Sequence, residues 1–222
     1  MGKRGPKPEG KVKTVWSSDF AYAIGLLVTD GNLSPDGRHI SFVSKDIEQV
    51  RNFLTCLGLK VKIGVVKSGY DASEAYKVQF GDVLFYKFLQ KIGLTCAKSK
   101  TMGVIKIPRK YFFDFLRGCF DGDGYTYSYW DKRWKSSFMY YLGFVSAAPA
   151  YIKWLQNKIL ELTGKKGHVT YSKRSSCAQL KYAKKDSLYI MKKMYYTKNV
   201  VCLSRKRLKI RQSLAIVGES GV

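Results

Sequence analysis

The run AIGLLVTDG, from Ala23 to Gly31, is answered by LRGCFDGDG, from Leu116 to Gly124, so an apolar helical stretch ending in Asp-Gly occurs twice, 93 positions apart. A chain built this way folds as two related halves. The last turn of a helix carries roughly half a negative charge on its unsatisfied carbonyls, so Asp30 and Asp123 stand where a carboxylate is disfavoured. Packing the two helices side by side would bring the acids together and compound the problem. The sequence therefore demands cations at the junction, and divalent metal ions between the two carboxylates are the expectation.

Glycine sharpens the picture. Gly25 and Gly118 fall mid-helix, where each costs about 1 kcal/mol relative to alanine, so a close approach of two backbones is expected there. The small residues Ala21 and Thr29 would assist that crossing. An EF-hand reading of Asp121-Gly122-Asp123-Gly124 fails, because no glutamate closes the loop at the required spacing. Asp121, two residues before Asp123, points elsewhere on a helix and reads as a local cap or hydrogen-bonding group.

The surrounding segments repeat in the same order. Ser17-Ser18-Asp19 offers an N-cap to the first motif helix, and Gly31-Asn32 ends it in a turn. Ser34-Pro35-Asp36-Gly37 is a hairpin turn into a strand at His39 to Ser44. Apolar spacing predicts a helix from Asp46 to Leu57, stopped by Gly58; strands follow at Lys60 to Lys67 and Ala75 to Phe80 around Ser68-Gly69, then a helix from Val83 to Ile92. The second half gives a helix from Tyr111 to Asp123 and strands about Tyr125 to Lys132 and Ser136 to Ser146. A helix from Pro149 to Leu162, strands at His168 to Lys173 and Ala178 to Ala183, and a helix from Ser187 to Tyr195 complete it. Phe42-Val43-Ser44 matches Phe144-Val145-Ser146, and Gly58 matches Gly164. The fold class is α+β: two pseudo-symmetric αββαββα halves, with the motif helices packed at the interface. The expected divisions are a flexible basic arm over 1–16, a first half over 17–108, a second over 109–212 and a frayed tail over 213–222.

Lys and Arg total 40 against 16 Asp and Glu, a net charge of +24 spread along the chain, which favours a polyanionic partner, and nucleic acid before an anionic membrane. Five scattered cysteines without a Cys-x-x-Cys pair point to a reducing compartment. His39 and His168 alone cannot build a zinc finger or a nuclease site of clustered histidines. No apolar run approaches the roughly 20 residues of a membrane span, and no targeting segment is recognised. An intracellular location follows, in a bacterial or archaeal cytoplasm or an organelle matrix.

With two motif copies in duplicated context on a basic chain, the sequence resembles the LAGLIDADG homing endonucleases of the single-chain type, over nearly all of residues 17 to 212. The first copy matches at Gly25, Leu26, Asp30 and Gly31, with Val28 in place of the motif's first aspartate. The second keeps Leu116, Gly118, Asp121, Asp123 and Gly124, with Arg117 at the alanine position and Cys119 at the second leucine. The resemblance implies a monomeric, intron-encoded, Mg²⁺-dependent hydrolase that cuts both strands of DNA, one strand per half. Mn²⁺ is expected to substitute and Ca²⁺ to bind without supporting efficient cleavage. It implies metal binding by Asp30, Asp123 and the backbone carbonyls of Thr29 and Gly122.

The same resemblance points to a basic or polar residue just after the second strand of each half, which here is Lys45 in the first and Ala147 in the second. The halves would then cut at different rates. Further catalytic expectations are Lys98 and Arg205, with Lys100 and Lys206 beside them on DNA; for any single one of these, plain phosphate contact is an equally good reading. Antiparallel sheets forming a saddle would read double-stranded DNA over a long target, pseudo-palindromic or asymmetric. Arg38, Lys60, Lys62, Lys77 and Gln79 would do so in the first half, and Arg133, Lys135, Lys173, Gln179 and Lys181 in the second. Tyr125, Tyr127 and Tyr129 alternate with Thr126 and Ser128, a stripe that reads as core or phosphate-contacting before base-stacking. Two other classes stay open: an RNA-binding intron maturase, and a non-catalytic DNA-binding regulator on the same fold. An intein is disfavoured, since no splicing-type termini are present.

Overall fold

The computed structural model describes residues 9–67, 73–172, 176–216 and 218. Ser17 opens the first motif helix, α1 (Ser18–Asp30), by accepting the Phe20 amide at 3.0 Å. Every residue of α1 from Phe20 to Val28 is buried, because the helix is covered on one side by its own half and on the other by the second motif helix, α5 (Phe112–Asp123). The glycines account for the contact. A Cβ on Gly25 would stand 2.2 Å from the Phe115 carbonyl oxygen and 2.9 Å from Gly118 Cα; one on Gly118 would stand 2.1 Å from the Tyr22 carbonyl oxygen. The helices cross where the two missing side chains coincide, as their cost in helix propensity requires.

Each motif helix runs straight into a strand. Gly31 and Gly124 are extended, with ψ of 157° and 154°, so the chain turns into β1 (Gly31–Leu33) and β5 (Gly124–Trp130) where the sequence reading put a turn after Gly31. In the first half, β1, β2 (His39–Ser44), β3 (Gly64–Lys67) and β4 (Glu74–Gly81) form an antiparallel sheet in the order β1-β2-β4-β3. In the second, β5, β6 (Phe138–Ser146), β7 (His168–Tyr171) and β8 (Ala178–Ala183) repeat that order as β5-β6-β8-β7. The register repeats too: Gly31 pairs with Phe42 and Gly124 with Phe144. Helices α2 (Ile47–Leu57), α3 (Val83–Ile92), α6 (Pro149–Thr163) and α7 (Lys184–Met194) cover the sheets. Gly58 and Gly164 end α2 and α6 in the left-handed conformation, at φ 64° and 71°.

Three expectations need correction. The strand expected from Lys60 begins at Gly64, because residues 60–63 form no ladder. The described end of the basic arm is pinned: Asp82, the N-cap of α3, also accepts the Lys11 and Val12 amides at 2.7 and 2.9 Å, and Val12 is buried. Two helices were not foreseen, a single turn α4 (Lys98–Thr101) and α8 (Ser204–Ala215), which carries the chain into the expected tail. The Ser68-Gly69 turn, Lys173 and the first eight residues lie outside the described residues. No disulfide links the five cysteines, and among the described residues no helix is long and apolar enough to cross a membrane.

Candidate active site at the foot of the helix pair

The crossing of α1 and α5 delivers their last turns to one place. The Asp30 carboxyl is pushed up to about 6, first by burial and then by the charge of Asp123. Asp123 is raised by burial as well and lowered by Lys98 and Lys206. Thr29 Oγ1 donates to Asp30 Oδ2 at 3.1 Å, and Gln49 Nε2 at 3.4 Å; Ser44 Oγ in turn donates to Gln49 Oε1 at 2.7 Å. Gly122 has to be glycine here, since a Cβ would lie 2.0 Å from Thr29 Oγ1 and 2.7 Å from Asp30 Oδ2.

The cations demanded by the sequence are present as two lysines. Lys98 Nζ donates to the carbonyls of Val28 and Thr29 at 2.6 and 3.0 Å. Lys206 Nζ donates to those of Phe120, Gly122 and Gly124 at 2.6, 2.9 and 2.7 Å. Neither motif helix has a basic residue in its own last turn, so each terminus is capped by an ammonium group brought in by a later helix, α4 or α8. Burial pulls both lysines down, Lys206 to about 8, while the aspartates pull them back up.

Oxygen donors dominate the site, as hard divalent ions require. The carboxylates of Asp30 and Asp123 stand beside the Thr29 and Gly122 carbonyls, each of which receives one ammonium and keeps a second lone pair for another ligand. That set fits Mg²⁺, Mn²⁺ or Ca²⁺, completed by water or phosphate oxygens. Among the described residues, no three His, Cys, Asp or Glu side chains gather into a metal site.

The other expected residues distribute unevenly. Lys45 and Arg205 line a cavity of about 450 Å³ with Asp30, Gln49 and Gly122. Arg205 is tied at 2.6 Å to Asp46, so it is Lys206 that stands to the second motif helix as Lys98 stands to the first. Lys100 is exposed on α4. Arg38, Lys60, Lys62 and Gln79 line a groove of about 600 Å³ with Lys11 and His39. Lys77 pairs with Val43, on the same face as Gln79 opposite Ser41. Gln179 pairs with Val145 and Lys181 with Gly143 on the corresponding face of the second sheet, and Arg133 and Lys135 are exposed at the β5–β6 turn.

Tyr125, Tyr127 and Tyr129 are not core: they stand on the same side as Lys181, which lies 5.3 Å from the Tyr127 ring centroid. Sequence reasoning also missed Arg117, which is fully buried and donates to Asp114, Met194 and Val201. Its place in the motif where alanine is usual was the available signal. Asp121 does not cap or bond locally as expected: it is buried and accepts Tyr22 Oη from α1 and the Leu203 amide ahead of α8, each at 2.7 Å, because its helical phase turns it into the packed interior.

No family model matches the chain. A protein of Methanocaldococcus jannaschii described as uncharacterized is 31% identical over 119 residues, which cover 50% of this chain and 41% of that protein. Among solved structures, full-length DUF199/WhiA from Thermatoga maritima overlays with a TM-score of 0.58 at 15% identity, covering 95% of this chain and 64% of its own. The I-LtrWI LAGLIDADG homing endonuclease bound to target DNA gives 0.59 at 12% identity, covering 90% and 91%. I-DmoI in complex with DNA and Ca gives 0.55 at 16% identity, covering 91% and 98%. I-DmoI is also known in complex with DNA and Mn, with a TM-score of 0.53 at 17% identity, covering 81% and 97%. This chain therefore spans under half of its curated relative and about two thirds of full-length WhiA. It has the LAGLIDADG fold, in the form with two motif helices and two sheets.

Proposed function

We propose that this chain is a site-specific double-strand DNA endonuclease of the homing type, cutting one strand with each half in a Mg²⁺-dependent hydrolysis. The observation that carries the reading is the meeting of Asp30 and Asp123 at the foot of a glycine-packed helix pair, close enough that the charge of one raises the pKa of the other. Asp30, Asp123 and the carbonyls of Thr29 and Gly122 would hold the metal. When bound, a divalent ion supplies a water of lowered pKa and neutralises charge on phosphate oxygens.

The chain's own groups have separable tasks. Gln49, held by Ser44, orients the Asp30 carboxylate. Lys98 and Lys206 offset the helix termini, so that two carboxylates, Asp30 half-buried and Asp123 exposed, can share one junction. Lys45, at the wall of the cavity beside Asp30, is positioned to meet a phosphate entering from the first sheet. The +24 charge would hold a long duplex, with affinity falling steeply with salt.

The test is cleavage of duplexes selected from a randomised library, in Mg²⁺ and in Ca²⁺. Asp30→Asn and Asp123→Asn should each leave a nicking activity, and the double variant none. Undiminished cleavage by the double variant would sink the reading.

One observation favours a second reading. Lys98 and Lys206 already neutralise the junction, so the fold needs no metal to tolerate its acids, and the same site would serve a DNA-binding regulator that does not cut. Tight sequence-specific binding without metal-dependent nicking would select that alternative.

A further inference from the structure

The two sheets share their topology and differ in what they offer a ligand. Aligning Phe42 with Phe144, opposite the Gly31 and Gly124 that begin β1 and β5, puts Lys77 level with Gln179 and Gln79 level with Lys181. The lysine and glutamine thus exchange places between the halves. The β1–β2 pairing ends at Leu33 with Ile40, whereas the equivalent β5–β6 pairing continues from Thr126 with Leu142 out to Trp130 with Phe138. Four further residues per strand extend this ribbon by about 13 Å.

On that extension stands a ladder of tyrosines. Tyr127 stacks on Tyr141 at 4.7 Å with 12° between the rings, and on Tyr129 at 6.2 Å with 8°. Tyr125 continues it at 6.2 Å from Tyr127. A base inserted between two rings needs about 7 Å, twice the ~3.5 Å contact distance of carbon atoms, so none of these gaps admits one. Between neighbours the ring faces are turned to one another, and the end ring, Tyr129, is 46% exposed. The ladder also carries a row of ring edges and phenol hydroxyls, of which that of Tyr125 donates to Gln179 Oε1 at 3.1 Å and those of Tyr129 and Tyr141 bond each other, with the Lys181 ammonium held over Tyr127 and Tyr141 at 5.3 and 5.8 Å. Edges and hydroxyls match base-pair edges and thymine methyl groups in a groove, and do not match unpaired bases, which need an open ring face.

Resting on the DNA-binding reading above, we propose that Tyr127, Tyr129 and Tyr141 read base-pair edges of double-stranded DNA over the outer part of one half-site, which makes the target non-palindromic. The first half meets its half-site with the cationic groove of Arg38, Lys60 and Lys62; the second adds tyrosine edges to Lys181 and to Arg133 and Lys135 at the β5–β6 turn.

The experiment selects binders from randomised duplex and randomised single-stranded libraries with the full chain in Ca²⁺, in wild type and in the triple variant Tyr127→Phe/Tyr129→Phe/Tyr141→Phe. Phenylalanine keeps the stacking and removes only the hydroxyls; an unchanged melting temperature verifies the fold, and Tyr129→Ser, at the exposed end of the ladder, is the second variant. The expected result is loss of base preference at outer positions of one half-site alone, with about tenfold weaker binding to the wild-type site. Duplex enrichment with preferences unchanged in both variants, or lost equally in both half-sites, overturns the ladder's role and leaves the DNA reading standing. Enrichment of single-stranded species in place of duplex overturns both, as does enrichment of neither.

Discussion

Lys206 Nζ lies 2.9 Å from the carbonyl oxygen of Gly122 and closes the end of α5 with a charge borrowed from α8. Its two further bonds, to Phe120 and Gly124, gather three carbonyls of the helix terminus on one cation. Lys206→Met keeps most of the stem and removes the charge, leaving Asp30 and Asp123 with one ammonium fewer. The expected loss is about 2–3 kcal/mol in urea denaturation, the scale of a charged hydrogen-bonding group lost from a partly buried site. A change within 0.5 kcal/mol would show that solvent replaces the lysine without cost.

Helix propensity and packing give opposite signs at Gly25. Alanine would gain about 1 kcal/mol from propensity, yet its Cβ would stand 2.2 Å from a backbone oxygen of the partner helix. Backbone cannot yield as a flexible side chain does. Gly25→Ala and Gly118→Ala should each destabilise by about 2–3 kcal/mol. Thermal melts with a higher midpoint in either variant would refute the close crossing.

Arg117 and Asp114 form a buried pair at 2.8 Å, with side chains 1% and 5% exposed. Tyr196 Oη also donates to Asp114, and the guanidinium reaches the Met194 and Val201 carbonyls, so the pair fastens α5 to the chain after α7. Arg117→Met leaves an uncompensated carboxylate and should cost about 3–5 kcal/mol. Adding Asp114→Leu should recover part of that loss. A double variant no more stable than Arg117→Met would mean that the bonds to the carbonyls, and not the charge pair, carry the effect.

The β1–β2 turn supplies a pH-dependent test. Hydrogen bonds from the His39 ring, then from the His39 and Arg38 amides, draw the exposed Asp36 carboxyl down to about 2. A depressed carboxyl pKa contributes stability above its unfolded value of 3.8 and loses it as pH falls toward 2. The turn carrying Arg38 should therefore loosen between about pH 4 and pH 2. In His39→Ala the Asp36 carboxyl, followed by NMR, should titrate nearer its ordinary value; an unmoved titration would assign the depression to the two amides alone.

Much of this was legible because it repeats. The duplicated Asp-Gly, the mid-helix glycines and the αL stops at Gly58 and Gly164 are local signals with fixed geometric meanings, and the structure places each as its chemistry requires. The need for cations at the junction was legible; their identity was not. Lys98 and Lys206 lie 68 and 83 residues beyond the aspartates they serve, and only the packing of α4 and α8 selects them from the basic residues around them. Arg205 looked as good as Lys206 until one helical position turned it toward Asp46. The tyrosine stripe alternated correctly, but alternation does not say which face of a sheet is the covered one.

The two acids have unequal surroundings, and the proposed nuclease should betray it. Asp30 has Gln49 within 3.4 Å and shares a cavity with Lys45. In the matching register after Phe144-Val145-Ser146 the second half has Ala147 in place of Lys45 and Tyr151 in place of Gln49, and the Tyr151 hydroxyl is engaged with Cys119 at 3.2 Å. At these two positions the half around Asp123 offers neither the cation nor the amide that the half around Asp30 has. A loss of about 1.4 kcal/mol in transition-state stabilisation corresponds to a tenfold slower cut. With each strand end-labelled separately, the strand assigned to Asp123 should lag by about that factor, and nicked circles should accumulate before linear product. Ala147→Lys should narrow the gap without altering the faster strand. Equal rates in the wild-type protein would mean that neither Lys45 nor Gln49 contributes to the chemistry.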